Sequence, residues 1–153
     1  MRNVITRPAD AIAKIAGDYP DLSAYGFRFA SRLGWNENDS FAKHRAVMAK
    51  EDFADQVNTA VAYLAENGLG KHGSYALKHR CERWGDRVGL RSYVSNGAAI
   101  VAAIMMGYMP VIEANSPNCL FRPGGKHFEK NSSSQRSRLA SGRGSSECSA
   151  NRR

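Results

Sequence analysis

The chain has 153 residues and carries 22 Lys/Arg against 14 Asp/Glu, a formal net charge of +8 with 42% hydrophobic residues. That length suits one domain, and that composition excludes a collagen-like or wholly disordered chain. Its longest apolar run, Ala98 to Met106, is far shorter than the roughly 20 residues a membrane span requires, so no membrane partner is expected.

The charge is uneven. Residues 1–125 hold 15 Lys/Arg against 12 Asp/Glu, and residues 126–153 hold 7 against 2. Such a basic balance favours nucleic acid, acidic proteins or an anionic membrane surface as partners and does not choose among them; the expected partner is nucleic acid or an acidic or nucleoprotein complex. Cys81, Cys119 and Cys148 are odd in number and widely spaced, which argues against a disulfide framework and for a reducing, cytoplasmic setting. The first twenty residues lack the apolar stretch of a signal peptide.

Pro8 to Gly17 reads as a short helix, with proline in the first turn and glycine at the stop. In Asp21 to Leu33 the spacing of Leu22, Tyr25, Phe29 and Leu33 predicts a second helix, which Gly26 weakens by about 1 kcal/mol relative to alanine. Trp35 to Ser40 reads as polar loop, with Asp39 or Ser40 capping a helix over Phe41 to Met48. Lys50 to Asn67 is the clearest helix. Phe53, Val57, Ala60 and Leu64 form its apolar stripe, acidic residues open it, and Asn67-Gly68 stops it.

Ser74 is placed to cap the next helix, in which Leu77, Cys81, Trp84 and Val88 fall within a band of about 60° at 100° per residue. Arg80, Arg83 and Arg87 share one flank, with Lys78 and Arg91 nearby, while His79, Glu82 and Asp86 take the far side. Gly85 suggests a weak last turn. Ser95-Asn96-Gly97 supplies caps for a helix over Ala98 to Met106, apolar all round and therefore central. Met109 to Glu113 and Asn118 to Phe121 predict two strands joined by a turn at Ala114 to Pro117. Residues 131–153 hold eight serines and five arginines, too polar to order themselves. The expected architecture is mainly α: one compact helical domain over 1–125 with a small two-stranded β-hairpin near its C-terminal end, then a disordered Ser/Arg-rich basic tail over 126–153.

Three stretches bear on binding. The flank of Lys78, Arg80, Arg83, Arg87 and Arg91 suits a phosphate backbone. Tyr93 and Asn96 lie either at a helix cap or on an exposed rim facing a partner. Gly70, Lys71, Gly73 and Ser74 precede a helix and offer amides and a cation to an anion, although a P-loop would need a preceding strand and a Ser/Thr after the lysine. A helix-turn-helix over 74–107 is rejected, because the link is too long and the second helix has no polar side chain to read a base. His44, His72, His79 and His127 show no zinc-ligand spacing. Cys81 sits on the apolar stripe, and no catalytic signature appears. No catalytic residues, metal or cofactor are therefore expected.

Ser74-Tyr-Ala-Leu-Lys-His79 and Tyr93-Val-Ser-Asn-Gly97, followed by Ala102-Ala103, Gly107-Tyr108 and Pro117-Asn-x-x-Phe121, resemble a family of short bacterial proteins of plasmids and phages that have no assigned activity. The resemblance spans 74–121, stops short of the tail, and implies a mobile-element setting only. The expected function is a non-enzymatic binding protein that contacts nucleic acid, or a nucleic-acid-bound complex, through the basic flank. The alternative is a protein–protein adaptor or inhibitor of a host or defence complex.

Overall fold

The computed structural model describes residues 8–29 and 37–124. It contains five helices and two small antiparallel hairpins, in the order α1 (Pro8–Asp18), β1 (Leu22–Ser23), β2 (Gly26–Phe27), α2 (Glu37–Val47), α3 (Glu51–Asn67), α4 (Ser74–Val88), α5 (Asn96–Met105), β3 (Tyr108–Ile112) and β4 (Cys119–Pro123). The mainly helical class and the C-terminal hairpin are as expected. The tail over 126–153 lies outside the described residues.

Helix α5 is the centre. Its mean hydropathy is the highest of the helices, and everything from Asn96 to Ala103 is buried. Its alanines let α3 and α4 pack closely against it, as expected where side chains at the contact are small. Phe53, Val57 and Ala60 of α3, with Leu77 and Cys81 of α4, are fully enclosed. Tyr63 and Trp84 meet edge to face, their ring centroids 6.0 Å apart.

The predicted helix over Asp21–Leu33 is not formed. Leu22 pairs with Phe27 and Ser23 with Gly26 in a tight hairpin. Gly26 adopts φ +118°, and a Cβ there would lie 2.2 Å from the Pro117 carbonyl oxygen. Ser23 ties the turn locally, its hydroxyl donating to the Gly26 carbonyl and accepting from the Tyr25 amide. Tyr25 is 62% exposed, so the apparent apolar stripe does not exist in space; Leu33 lies outside the described residues. Helix α2 begins at Glu37, which puts Asp39 and Ser40 in its first turn rather than ahead of it.

Three further expectations in the α4 region are corrected. Ser74 does not cap the helix: Gly73 holds the cap position, and the buried Ser74 hydroxyl accepts the Cys119 amide at 3.1 Å. Val88 is exposed, because it stands in the last turn, where the chain leaves the core through the left-handed Gly89. Gly85 is no weak point. It is buried, and a Cβ would sit 2.5 Å from the Arg91 carbonyl oxygen, so the loop after α4 approaches the helix only because glycine is there. Helix α5 starts at Asn96, capped by the Ser95 hydroxyl, which accepts the Ala98 amide. Strands β3 and β4 lie within two residues of the expected segments and pair Met109 with Arg122 and Ile112 with Cys119.

Arg45 of α2 was not singled out in the sequence, yet its guanidinium closes the C-terminal end of α1. It donates to the carbonyls of Ala16 (2.5 Å), Tyr19 (3.3 Å), Pro20 (3.0 Å) and Leu22 (2.8 Å). Helix C-termini leave carbonyls without partners, and a cation there also meets the negative end of the helix dipole. Arg45→Ala is expected to cost about 3 kcal/mol, summed over several charge-assisted hydrogen bonds of which part is recovered by water. Thermal unfolding should register a loss of roughly 10 °C, with Arg45→Lys recovering only a fraction because the planar fork is lost.

Candidate nucleic-acid interface

Helix α4 buries Leu77, Cys81, Trp84 and Gly85 against the core, and its remaining surface is divided by the 3.6-residue repeat. Arg80, Arg83 and Arg87 emerge together, all exposed. With Asp86 of the same helix and Tyr63 and Asn67 of α3 they line an open cleft of about 570 Å³. Among the described residues no ion pair engages any of the three guanidiniums. Asp86, expected on the far side, lies in the cleft with them.

The other two cations of the expected flank are used differently. Lys78 donates to Glu82 at 2.8 Å, with both side chains less than a fifth exposed. Arg91 pairs with Asp52 of α3. Glu82 is an anchor rather than a solvent-facing charge. Its carboxylate also accepts the Val94 amide at 3.3 Å and lies 3.0 Å from His79 Nδ1, tying the loop after α4 back onto the helix. Gln56 does the same from α3: its side-chain oxygen accepts the Ser95 amide at 3.0 Å.

Tyr93 and Asn96 separate. Tyr93 is half exposed, with the Lys78 ammonium 5.5 Å from its ring centroid. Asn96 is buried and is not on a rim. Its amide nitrogen donates to the Tyr25 carbonyl, the Pro117 carbonyl and Asn118 Oδ1, all at 3.1–3.2 Å, so it staples the N-terminal hairpin and the turn before β4 to the start of α5. The Gly70–Ser74 segment is likewise committed to packing at its end. Ser74 is fully buried, and Gly73 faces the Cys119 carbonyl and Leu120. Gly70, at φ +67°, and the exposed Lys71 remain on the surface.

Chemistry elsewhere is sparse. Burial pushes the Cys81 and Cys119 thiols up to about 12; the neighbouring Glu82 carboxylate adds to the effect at Cys81. Both are neutral at pH 7, the opposite of a nucleophile's environment. No group of three or more His, Cys, Asp or Glu among the described residues is placed to hold a metal ion, and among them no helix is long and apolar enough to cross a membrane. Residues 89–95 separate α4 from α5, which is buried from Asn96 to Ala103, so the pair cannot act as a helix-turn-helix.

Comparison with protein-family models, curated proteins and solved structures found no match to this chain. The site therefore stands on its own residues. Arg80, Arg83 and Arg87 are the part of the expected flank that the fold gathers in one cleft without an ion pair among the described residues. Sequence reasoning placed His79 opposite the arginines but missed its pairing with Tyr75, whose ring it meets edge to face at 4.6 Å; their i,i+4 spacing on α4 was the available signal.

Proposed function

We propose that this is a non-enzymatic binding protein that holds the phosphate backbone of a nucleic acid, free or within a nucleoprotein complex, through Arg80, Arg83 and Arg87. The observation that carries this reading is that three exposed guanidiniums share one helix flank with no carboxylate paired to them among the described residues. At 1.5 Å per residue they span about 10 Å, the axial rise of about three nucleotides of one strand. Solvent-facing cations left without partners suit an external polyanion, and the basic 126–153 segment would add sequence-independent affinity. Lys78 and Arg91 shape the surface rather than contact phosphate directly, since each already has a carboxylate.

Binding of the full chain to mixed-sequence DNA and RNA across a salt series tests this. Replacing Arg80, Arg83 and Arg87 together by alanine is expected to weaken binding and flatten the slope of log K against log salt by roughly 2 to 3, for three phosphates at 0.7–0.9 each. An unchanged slope would remove the flank from the contact. A second reading, that of an adaptor or inhibitor from a bacterial mobile element, is favoured by the C-terminal hairpin. Met109 and Leu120 are at least half exposed on its outer side, apolar surface of the kind that marks protein contacts. Absence of binding to any nucleic acid at low salt would favour it.

A further inference from the structure

Helix α4 carries more than cations. Tyr75, His79, Arg83 and Arg87 follow one another at intervals of four and so form a single ridge along the helix. Its N-terminal half is aromatic and its C-terminal half cationic. Tyr75 is 58% exposed, and Tyr93, from the loop after the helix, is 51% exposed. Each ring has a neighbour that positions it. Tyr75 rests edge to face on His79; Tyr93 has the Lys78 ammonium over its face; and His79 and Lys78 both contact the one Glu82 carboxylate, which also fixes the Tyr93–Val94 backbone. Tyrosine rings, apolar across the face and polar at the tip, are enriched at interfaces, and two held rings beside a cationic ridge offer faces on which a flat ligand can stack.

We infer that Tyr75 and Tyr93 form a base-stacking platform beside the arginine flank, and that the nucleic acid taken by this site is single-stranded. The inference rests on the phosphate-contact reading and narrows it. A duplex keeps its bases stacked internally and would leave both rings unused, whereas every unpaired base presents a face to an aromatic ring. Helix α5, buried from Asn96 to Ala103, does not offer a face to a groove. The carboxylates on this side of α4 do not oppose the contact strongly: Glu82 is already paired to Lys78, and Asp86 shares its cleft with three arginines.

The test measures fluorescence anisotropy of the full chain with a labelled mixed-sequence DNA oligonucleotide, its RNA counterpart and the matching DNA duplex across one salt series. The single strands are expected to bind more tightly than the duplex, and the two single-stranded arms show which sugar is preferred. Tyr75→Ala and Tyr93→Ala should each weaken single-strand binding about 5- to 100-fold while leaving duplex binding and the salt slope unchanged. Tyr75→Phe and Tyr93→Phe, which keep the ring, should bind as the parent does. Alanine variants indistinguishable from the parent on single strands, or a preference for duplex, would overturn the platform. If the triple arginine variant loses binding in either case, the phosphate reading survives that failure. If the parent binds none of the three probes, both readings fall.

Discussion

Gly97→Ala is expected to destabilise the protein by about 4 kcal/mol, a size reserved for a few mechanisms such as steric overpacking of the core. Gly97 lies in the first turn of α5, and its amide donates to the Ala24 carbonyl at 3.0 Å. A Cβ at this position would stand 2.0 Å from the Ser23 carbonyl oxygen and 2.8 Å from the Ala24 backbone. The obstacles are all main chain of Ser23 and Ala24, so no rotamer change relieves them. The hairpin β1–β2 would have to move off the helix, taking buried Leu22 and Phe27 with it. Helix propensity alone argues the opposite sign, since alanine is favoured over glycine by about 1 kcal/mol in a helix interior. Gly17 of α1 provides the contrast, because a Cβ there meets nothing within 4 Å. Urea denaturation should show Gly97→Ala with a much lower midpoint and Gly17→Ala with a midpoint unchanged or slightly raised.

Cys81→Asp is expected to have an effect of similar size. Cys81 is fully buried on the α4 face that meets the core, and among the described residues the charge acting on it is the Glu82 carboxylate, which would repel a second one. Burying an unpaired charge costs about 3–5 kcal/mol, a large share of a typical domain's 5–15 kcal/mol. The dependence on pH separates this cause from a loss of packing. Burial raises the folded-state pKa of the new carboxyl above its unfolded value, so the folded protein binds the proton more tightly. Stability therefore falls as pH rises above the unfolded value. Thermal melts should place the variant closer to the parent at pH 4 than at pH 7. Cys81→Ala, which leaves only a small void, should cost roughly 1 kcal/mol at either pH.

Helices α1, α3, α4 and α5 were legible because each carries its own local signals: Pro8 near one start, Gly17 and Asn67-Gly68 at two ends, the apolar stripe of α4 and the unbroken apolar run of α5. The Asp21–Leu33 stretch was not, because Leu22, Tyr25 and Phe29 imitate a helical stripe. What overrides them is a contact made far along the chain, where Gly26 closes against Pro117 and Asn96. Ser74 and Asn96 failed for the same reason. Each has the side chain of a cap, but their partners, Cys119, Tyr25 and Pro117, are 45, 71 and 21 residues away. Local chemistry suggests what a side chain can bond to; the topology decides what it meets. The arginine flank was visible as spacing, whereas the pairing of Lys78 and Arg91 was only partly so. Lys78 and Glu82 are i,i+4 neighbours, but the Arg91–Asp52 pair joins two elements and has no sequence signature.

The bond from the Cys119 amide to Ser74 also bears on how the C-terminal hairpin opens. A two-stranded ribbon of five-residue strands is marginal by itself in water, and such an element ordinarily frays independently of the body it decorates. Here the amide that begins β4 is held by a hydroxyl buried in the first turn of α4, and the preceding turn is stapled to α5 by Asn96. Unzipping from that end would strand a hydroxyl and an amide in the interior, a penalty charged to the whole domain rather than to the ribbon. The hairpin should thus belong, at its Cys119 end, to the same cooperative unfolding unit as the central helices. At the other end of the ribbon Tyr108 is buried in the core, so local opening would be confined to the exposed Ala114 and Asn115 of the turn.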